Sequence, residues 1–163
     1  MKLTHLDRKG KARMVDITGK ASTVREALAV GTVRVNPDVI RMIEESRLPK
    51  GDVFATARIA GIMAAKKTAG IIPLCHPLAL TDVDVELKSD IGRGEILIRA
   101  TARTVGRTGV EMEAMTAVSV AALTVYDMCK SADRGIVLTE IKLVKKKGGK
   151  SGTFVRKEVK GRE

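Results

Sequence analysis

The chain is 163 residues long, 44% hydrophobic and 30% charged, the balance of one globular domain that buries about two-thirds of its unfolded surface. No apolar run approaches the ~20 residues of a membrane span, the first residues are too polar for a signal peptide, and two cysteines cannot form a disulfide framework, which leaves the cytoplasm as the expected home. Three rings (Phe54, Tyr126, Phe154) and no Trp disfavour stacking of single-stranded bases, despite a net charge of +11.

Residues 23–35 end in Thr-Val-Arg-Val and read as a strand. Asn36 is a good N-cap and Pro37 a good first helical residue, so a helix is expected from 37 to about 46. A turn at Pro49-Lys50-Gly51 follows, and Asp52 caps a second helix running to about 69, where Gly70 stops it. Ala57, Ala60, Gly61 and Ala64 give that helix a small-residue face which another element can approach closely. Residues 71–78 (IIPLCHPL) form a loop stiffened by Pro73 and Pro77.

Val83, Val85 and Leu87 then alternate with Asp82, Asp84 and Glu86, the period of a half-buried strand. A turn near 91–94 leads into a partner strand over 95–105. Here Ile96, Ile98, Ala100 and Ala102 share one face, and Arg99 and Arg103 point to the acidic row. A long helix spans 110 to about 130, with Ala114, Ala117, Val118, Ala121 and Val125 at helical spacing. A last strand over 136 to about 144 precedes a basic tail. Together these elements predict one domain over 1–163, an α+β fold with helices on one face of an antiparallel sheet and basic terminal segments at 1–20 and 145–163.

The charge excess belongs to those ends. Residues 1–20 contribute +4 and residues 142–163 contribute +7, while the centre carries 15 basic and 15 acidic side chains. Such ends serve as solvated tails, a phosphate-handling rim or nucleic-acid arms. Several motifs fail. Gly149-Lys150-Ser151 lacks the first glycine of a P-loop, because residue 144 is Val. Gly92-Arg93-Gly94 lacks the third glycine of a dinucleotide loop. Cys75 and His76 are adjacent, but His5 is the only other histidine, so a protein-built metal site is not expected.

His76, in the proline-clamped loop, reads either as a surface histidine or as an imidazole aimed into a cleft. Lys50 reads as a solvated turn residue or as a cation beside free helix N–H groups, where a phosphate would fit. Asp127 and Lys130 share a helix face. They form either an ordinary surface pair or, among Tyr126, Met128 and Cys129, an acid–base pair in apolar surroundings with a raised carboxyl or lowered lysine pKa. Glu111 and Glu113 open the same helix, where the helix dipole alone would favour them. Glu113 and Asp127 lie 14 residues apart in sequence, about 21 Å along a helix. They cannot reach one small reacting centre from one copy. If both serve one site, a second subunit supplies the other half.

The blocks MVDITGKA from Met14, KGDVFATARIAGIMAAKKT from Lys50, IPLCHPL from Ile72, TGVEMEAMTAVSVAALTVYDMCK from Thr108 and GGKSG from Gly148 resemble the cyclic pyranopterin monophosphate synthase family, the molybdenum cofactor biosynthesis protein C. The resemblance implies a ferredoxin-like fold assembled as a hexamer of three dimers, with sites between subunits. It also implies conversion of 3′,8-cyclo-7,8-dihydroguanosine 5′-triphosphate to cyclic pyranopterin monophosphate with release of pyrophosphate. On that resemblance Asp127 and Lys130 are the catalytic pair, and Leu74, Cys75, His76, Met112 and Glu113 bind substrate. Lys50 and Lys146 contact phosphate or take part in catalysis. No redox cofactor is implied, no nucleic acid or membrane partner is expected, and any Mg²⁺ would arrive with the triphosphate. Two alternatives from the residues themselves are a basic RNA-binding α+β domain and a purely structural oligomer.

Overall fold

The computed structural model describes residues 9–157, so His5 and the outermost part of each basic end lie outside the described residues. The elements run in order β1 (Thr23–Arg34), α1 (Pro37–Glu44), α2 (Val53–Lys66), α3 (Thr68–Ile71), β2 (Leu80–Asp90), β3 (Glu95–Gly106), α4 (Glu111–Cys129), β4 (Val137–Lys147) and β5 (Phe154–Val155). The strands form one sheet in the order β2-β3-β1-β4-β5, with every pairing antiparallel. The fold is α+β, as the element pattern predicts.

Period-2 alternation sets the register. Ile96, Ile98, Ala100 and Ala102 of β3 are all buried, beside Ala27, Ala29 and Val33 of β1 and Val85 of β2. The α4 helix lies over this surface with Ala114, Ala117, Val118, Ala121 and Val125 fully buried, and α2 packs against α4 and β2. On the outer face Arg103 bridges Glu26 of β1 (2.9 Å) and Asp82 of β2 (2.7 Å), the cross-strand pairing expected of the acidic row. Because Ala predominates in the facing layers, helix and sheet approach closely.

The close approach is tightest at Gly61 on α2. A Cβ there would sit 2.9 Å from the Ala117 carbonyl oxygen of α4 and 3.3 Å from the Val85 side chain. Gly61→Val is therefore expected to force the two helices apart and to cost about 1–3 kcal/mol, because a close-packed interior yields little to added methyl groups. A urea midpoint equal to that of the unsubstituted protein would refute this reading.

Four boundaries depart from expectation. The α1 helix ends at Glu44 because Ser46 turns into the left-handed region (φ 55°). The second helix breaks at Lys67 into α2 and the short α3. There the Thr68 hydroxyl donates back to the carbonyls of Ala64 (3.3 Å) and Ala65 (3.0 Å), and Gly70 lies inside α3 rather than ending α2. β4 continues through Lys145, Lys146 and Lys147, which pair with Leu28, Ala27 and Glu26, so the basic segment begins as strand and not as tail. β5 was not expected at all; it pairs Phe154 with Lys146 and Val155 with Lys145. Among the described residues no helix is long and apolar enough to cross a membrane.

Candidate active site

The antiparallel sheet brings five separate stretches of sequence to one of its ends. β1 starts there, β3 and β4 finish there, the loop before β2 arrives there, and α4 begins there directly after β3. A cavity of about 250 Å³ opens at this end between residues 15–20, the Leu74-Cys75-His76 stretch and the first turn of α4 at Met112 and Glu113. All five residues expected to bind substrate line it.

Each has a definable state. The His76 Nε2 atom lies 2.8 Å from the Val15 carbonyl oxygen. A carbonyl only accepts, so Nε2 carries the hydrogen of this contact. Glu113 is only 4% exposed. Burial above all, with the nearby Glu111 carboxylate, raises its pKa, although its own backbone N–H acts the other way. A surface acid complementing the helix dipole would not be buried. Burial first, then Glu113, also raises the Cys75 pKa, which keeps that side chain a neutral thiol. Leu74 and Met112 are partly exposed and give the cavity an apolar wall.

This cavity runs on into a second, of about 440 Å³, and the two share Lys20, Thr108, Gly109 and Glu111. Lys146 lines the second cavity. Its ammonium donates to the Ser151 hydroxyl at 2.5 Å and lies 3.6 Å from a Glu111 carboxylate oxygen. Arg25, Arg107, Lys147 and Lys150 line it as well, so together with Lys20 the trough is strongly cationic. Sequence reasoning missed Lys20, Arg25, Arg107, Lys147 and Lys150 as site residues. The signal that held part of them was the charge excess at both ends, for which a phosphate-handling rim was one of three readings; the described parts of both ends meet at one end of the sheet.

Lys50, Asp127 and Lys130 form a second cluster at the opposite end of α4. The Lys50 ammonium donates to the Asp127 carboxylate at 2.7 Å and to its carbonyl at 2.8 Å, and the Lys130 ammonium lies 2.8 Å from the other carboxylate oxygen. Lys50 directs its ammonium to Asp127, while Asp52 caps α2 by accepting from the Ala55 N–H at 2.9 Å. The surroundings of Asp127 are not apolar: its side chain is 56% exposed. Hydrogen bonds from Lys130 and then Lys50 lower its pKa to about 2, and Asp127 in turn raises that of Lys130. The expected directions, a raised carboxyl or a lowered lysine, are thus reversed, because two cations outweigh the slight desolvation. The cluster is an ionised carboxylate bracketed by two ammonium groups.

A single chain does not bring the two clusters together. They sit at opposite ends of a helix whose Glu113 and Asp127 are about 21 Å apart by helical rise. Among the described residues no group of three or more His, Cys, Asp or Glu is placed to hold a metal ion.

Comparison with known proteins places these residues in a family. The cyclic pyranopterin monophosphate synthase of Roseiflexus sp. (strain RS-1) is 59% identical over 153 residues, covering 94% of this chain and 97% of that one. The protein of the same name from Pelotomaculum thermopropionicum is 57% identical over 155 residues (95% and 91%), and that from Thermoanaerobacter pseudethanolicus is 54% identical over 156 residues (96% and 99%). Residues 14–149, which include the trough-lining part of β4 and both side-chain clusters, match the MoaC family throughout, and the chain belongs to that family.

Proposed function

We propose that the chain is a cyclic pyranopterin monophosphate synthase of molybdenum cofactor biosynthesis. In this reading it converts 3′,8-cyclo-7,8-dihydroguanosine 5′-triphosphate to cyclic pyranopterin monophosphate and releases pyrophosphate. The observation that carries the reading is the continuity of a half-buried cavity of mixed apolar and polar lining with a cationic trough. A purine-derived ring system fits the first, with Leu74 and Met112 against its face and His76 and Glu113 at its edge. A triphosphate fits the second, against Lys146 and its cationic neighbours.

The chemistry opens the imidazole ring of the purine, forms the pyrano ring and closes a cyclic phosphate. In the closing step a hydroxyl oxygen of the sugar-derived part attacks the α-phosphorus and the bond to the pyrophosphate oxygen breaks. The hydroxyl proton leaves to a base, and the trough cations neutralise the departing pyrophosphate. Protons for the ring-opening steps come from ammonium groups. Lys130 and Lys50 are both held against Asp127, and a substrate that draws the carboxylate away removes the interaction that raises the Lys130 pKa, making that ammonium a better acid. Asp127 acts in its ionised form. The net conversion oxidises and reduces nothing, so it needs no redox cofactor, and any Mg²⁺ travels with the triphosphate.

The two clusters complete one site only when the α4 C-terminus of a second subunit faces the trough, which supports a site shared between subunits; the hexamer of dimers is what the family resemblance implies. The strand order β2-β3-β1-β4 supports the ferredoxin-like reading of the sheet. Two cysteines without a disulfide suit the cytoplasm. The cations converge in a concavity rather than spreading over an open face, which favours a small phosphorylated ligand over RNA.

The direct test is anaerobic incubation of the protein with the cyclised GTP intermediate, with product and pyrophosphate followed by mass spectrometry. Both should appear; neither appearing from folded oligomer would overturn the proposal. His76→Ala and Glu113→Ala should each raise KM about tenfold or more, the loss expected when a buried polar contact to substrate is removed. Unchanged substrate affinity in both variants would remove the cavity from the site.

A further inference from the structure

Arg25 is an arginine on the core face of the central strand, in the same inward row as Ala27, Ala29 and Val33, and it is 9% exposed. Its Nε–H donates to the carbonyl of Gly106, the last residue of β3, at 3.2 Å. Its guanidinium abuts the turn that follows β4. A Cβ on Gly149 would come within 1.6 Å of Nη1, and one on Gly148 within 3.2 Å of Cδ and 2.2 Å of the Val24 carbonyl oxygen. Both glycines also take positive φ (101° and 74°), a backbone that side chains disfavour. The backbone of this turn therefore rests on the arginine, and only glycine fits between them.

We propose that Arg25 is a positioning residue, a brace that ties the end of β3 to the Gly148–Gly149 turn. In that role it fixes the trough's Lys146 and Lys147, before the turn, relative to Lys150 and Ser151, after it. Two observations support a role beyond filling space. A Leu or Met would close the end of the core without the cost of burying a charge. All four residues flanking the turn line the trough, and the turn closes with the Gly152 N–H donating to the Gly149 carbonyl at 3.0 Å. A floppy turn would leave the same charges present but spaced at random, and a polyphosphate would pay to order them. The functional half of this inference rests on the synthase reading; the structural half does not.

The test pairs amide hydrogen exchange with kinetics. Arg25→Ala should speed exchange at the amides of residues 148–152, and should raise both KM for the cyclised GTP intermediate and the inhibition constant of inorganic pyrophosphate about tenfold or more, with kcat within about threefold. Arg25→Lys keeps the charge but not the planar fork, so exchange should stay fast and binding weak. Gly149→Ala should weaken pyrophosphate binding more in the parent chain, where it strains the backbone and also collides with the guanidinium, than in Arg25→Ala, where only the strain at positive φ remains. Unchanged exchange in Arg25→Ala, full recovery in Arg25→Lys, or additive effects of the two substitutions would each overturn the brace. Should Arg25→Ala fail to fold, Arg25→Lys and Gly149→Ala carry the test. If the parent chain neither binds pyrophosphate nor makes product, the synthase reading fails, and exchange still decides the brace by itself.

Discussion

Asp127→Asn is expected to lower turnover by about 10²–10⁴-fold, the range lost when a positioned proton-transfer group is disabled. The substitution keeps the shape of the side chain and removes its charge. The charge is what holds the Lys50 and Lys130 ammonium groups 2.7 and 2.8 Å from one carboxylate, and without it two like charges repel. The carboxylate pKa is lowered to about 2, so Asp127 is ionised throughout the working range and acidifying the assay should not restore the variant. The sign of the stability effect follows from the same depression. Whatever the ion pairs contribute is present above the ordinary value of 3.8 and is lost only as the pH falls towards about 2. The group is exposed, so the contribution is small and the melting temperature at neutral pH should hold. Turnover in Asp127→Asn above a tenth of the parent's would remove Asp127 from the chemistry. Sedimentation that differs from the parent's would make the end of α4 structural instead.

At substrate concentrations well below the raised KM of Glu113→Ala, mixing the two impaired chains should restore activity. Glu113 and Asp127 are fixed to opposite ends of one rigid helix, so a site that uses both draws them from different subunits. When Glu113→Ala and Asp127→Asn chains are refolded together, half of random dimers are hybrids. One of the two sites in each hybrid then receives both intact residues, and activity should return to about one quarter of the parent's. No recovery in oligomers shown by mass spectrometry to be mixed would confine the site to one subunit. It would also leave the role of one of the two clusters unexplained.

Much of this was legible in the residues. The alternation of Val83, Val85 and Leu87 with acidic neighbours, the apolar face of β3 and the small-residue face around Gly61 each record a contact whose partner repeats at the element's own period. The stiff loop and the acidic helix start set the LCH and EME stretches apart as local features, while their binding roles came from the family resemblance. The impossibility of one α4 serving both Glu113 and Asp127 also needed only the rise per residue.

Other features had no local signature. The β5 strand is two residues long and exists because the edge of β4 needs a partner. The break between α2 and α3 lies in a run that would propagate as a helix, and it is set by Thr68 turning its hydroxyl to the preceding carbonyls. Lys50 and Asp127 are 77 residues apart, and the ionisation state of Asp127 depends on that pairing, so the direction of its pKa shift could not be read from its apolar neighbours in sequence.

The sequence by itself determined the α+β class, the hairpin and its register faces and the long helix, because each depends on periodicity or on adjacent residues. Only the tertiary structure decided that Lys20 from one end and Lys146, Lys147 and Lys150 from the other line one trough with Arg25 and Arg107, and that Lys50 completes the charge around Asp127. Strand order and the approach of helix to sheet set those distances. Electrostatic interactions between residues distant in sequence take their sign and size from such distances, and no local pattern encodes them.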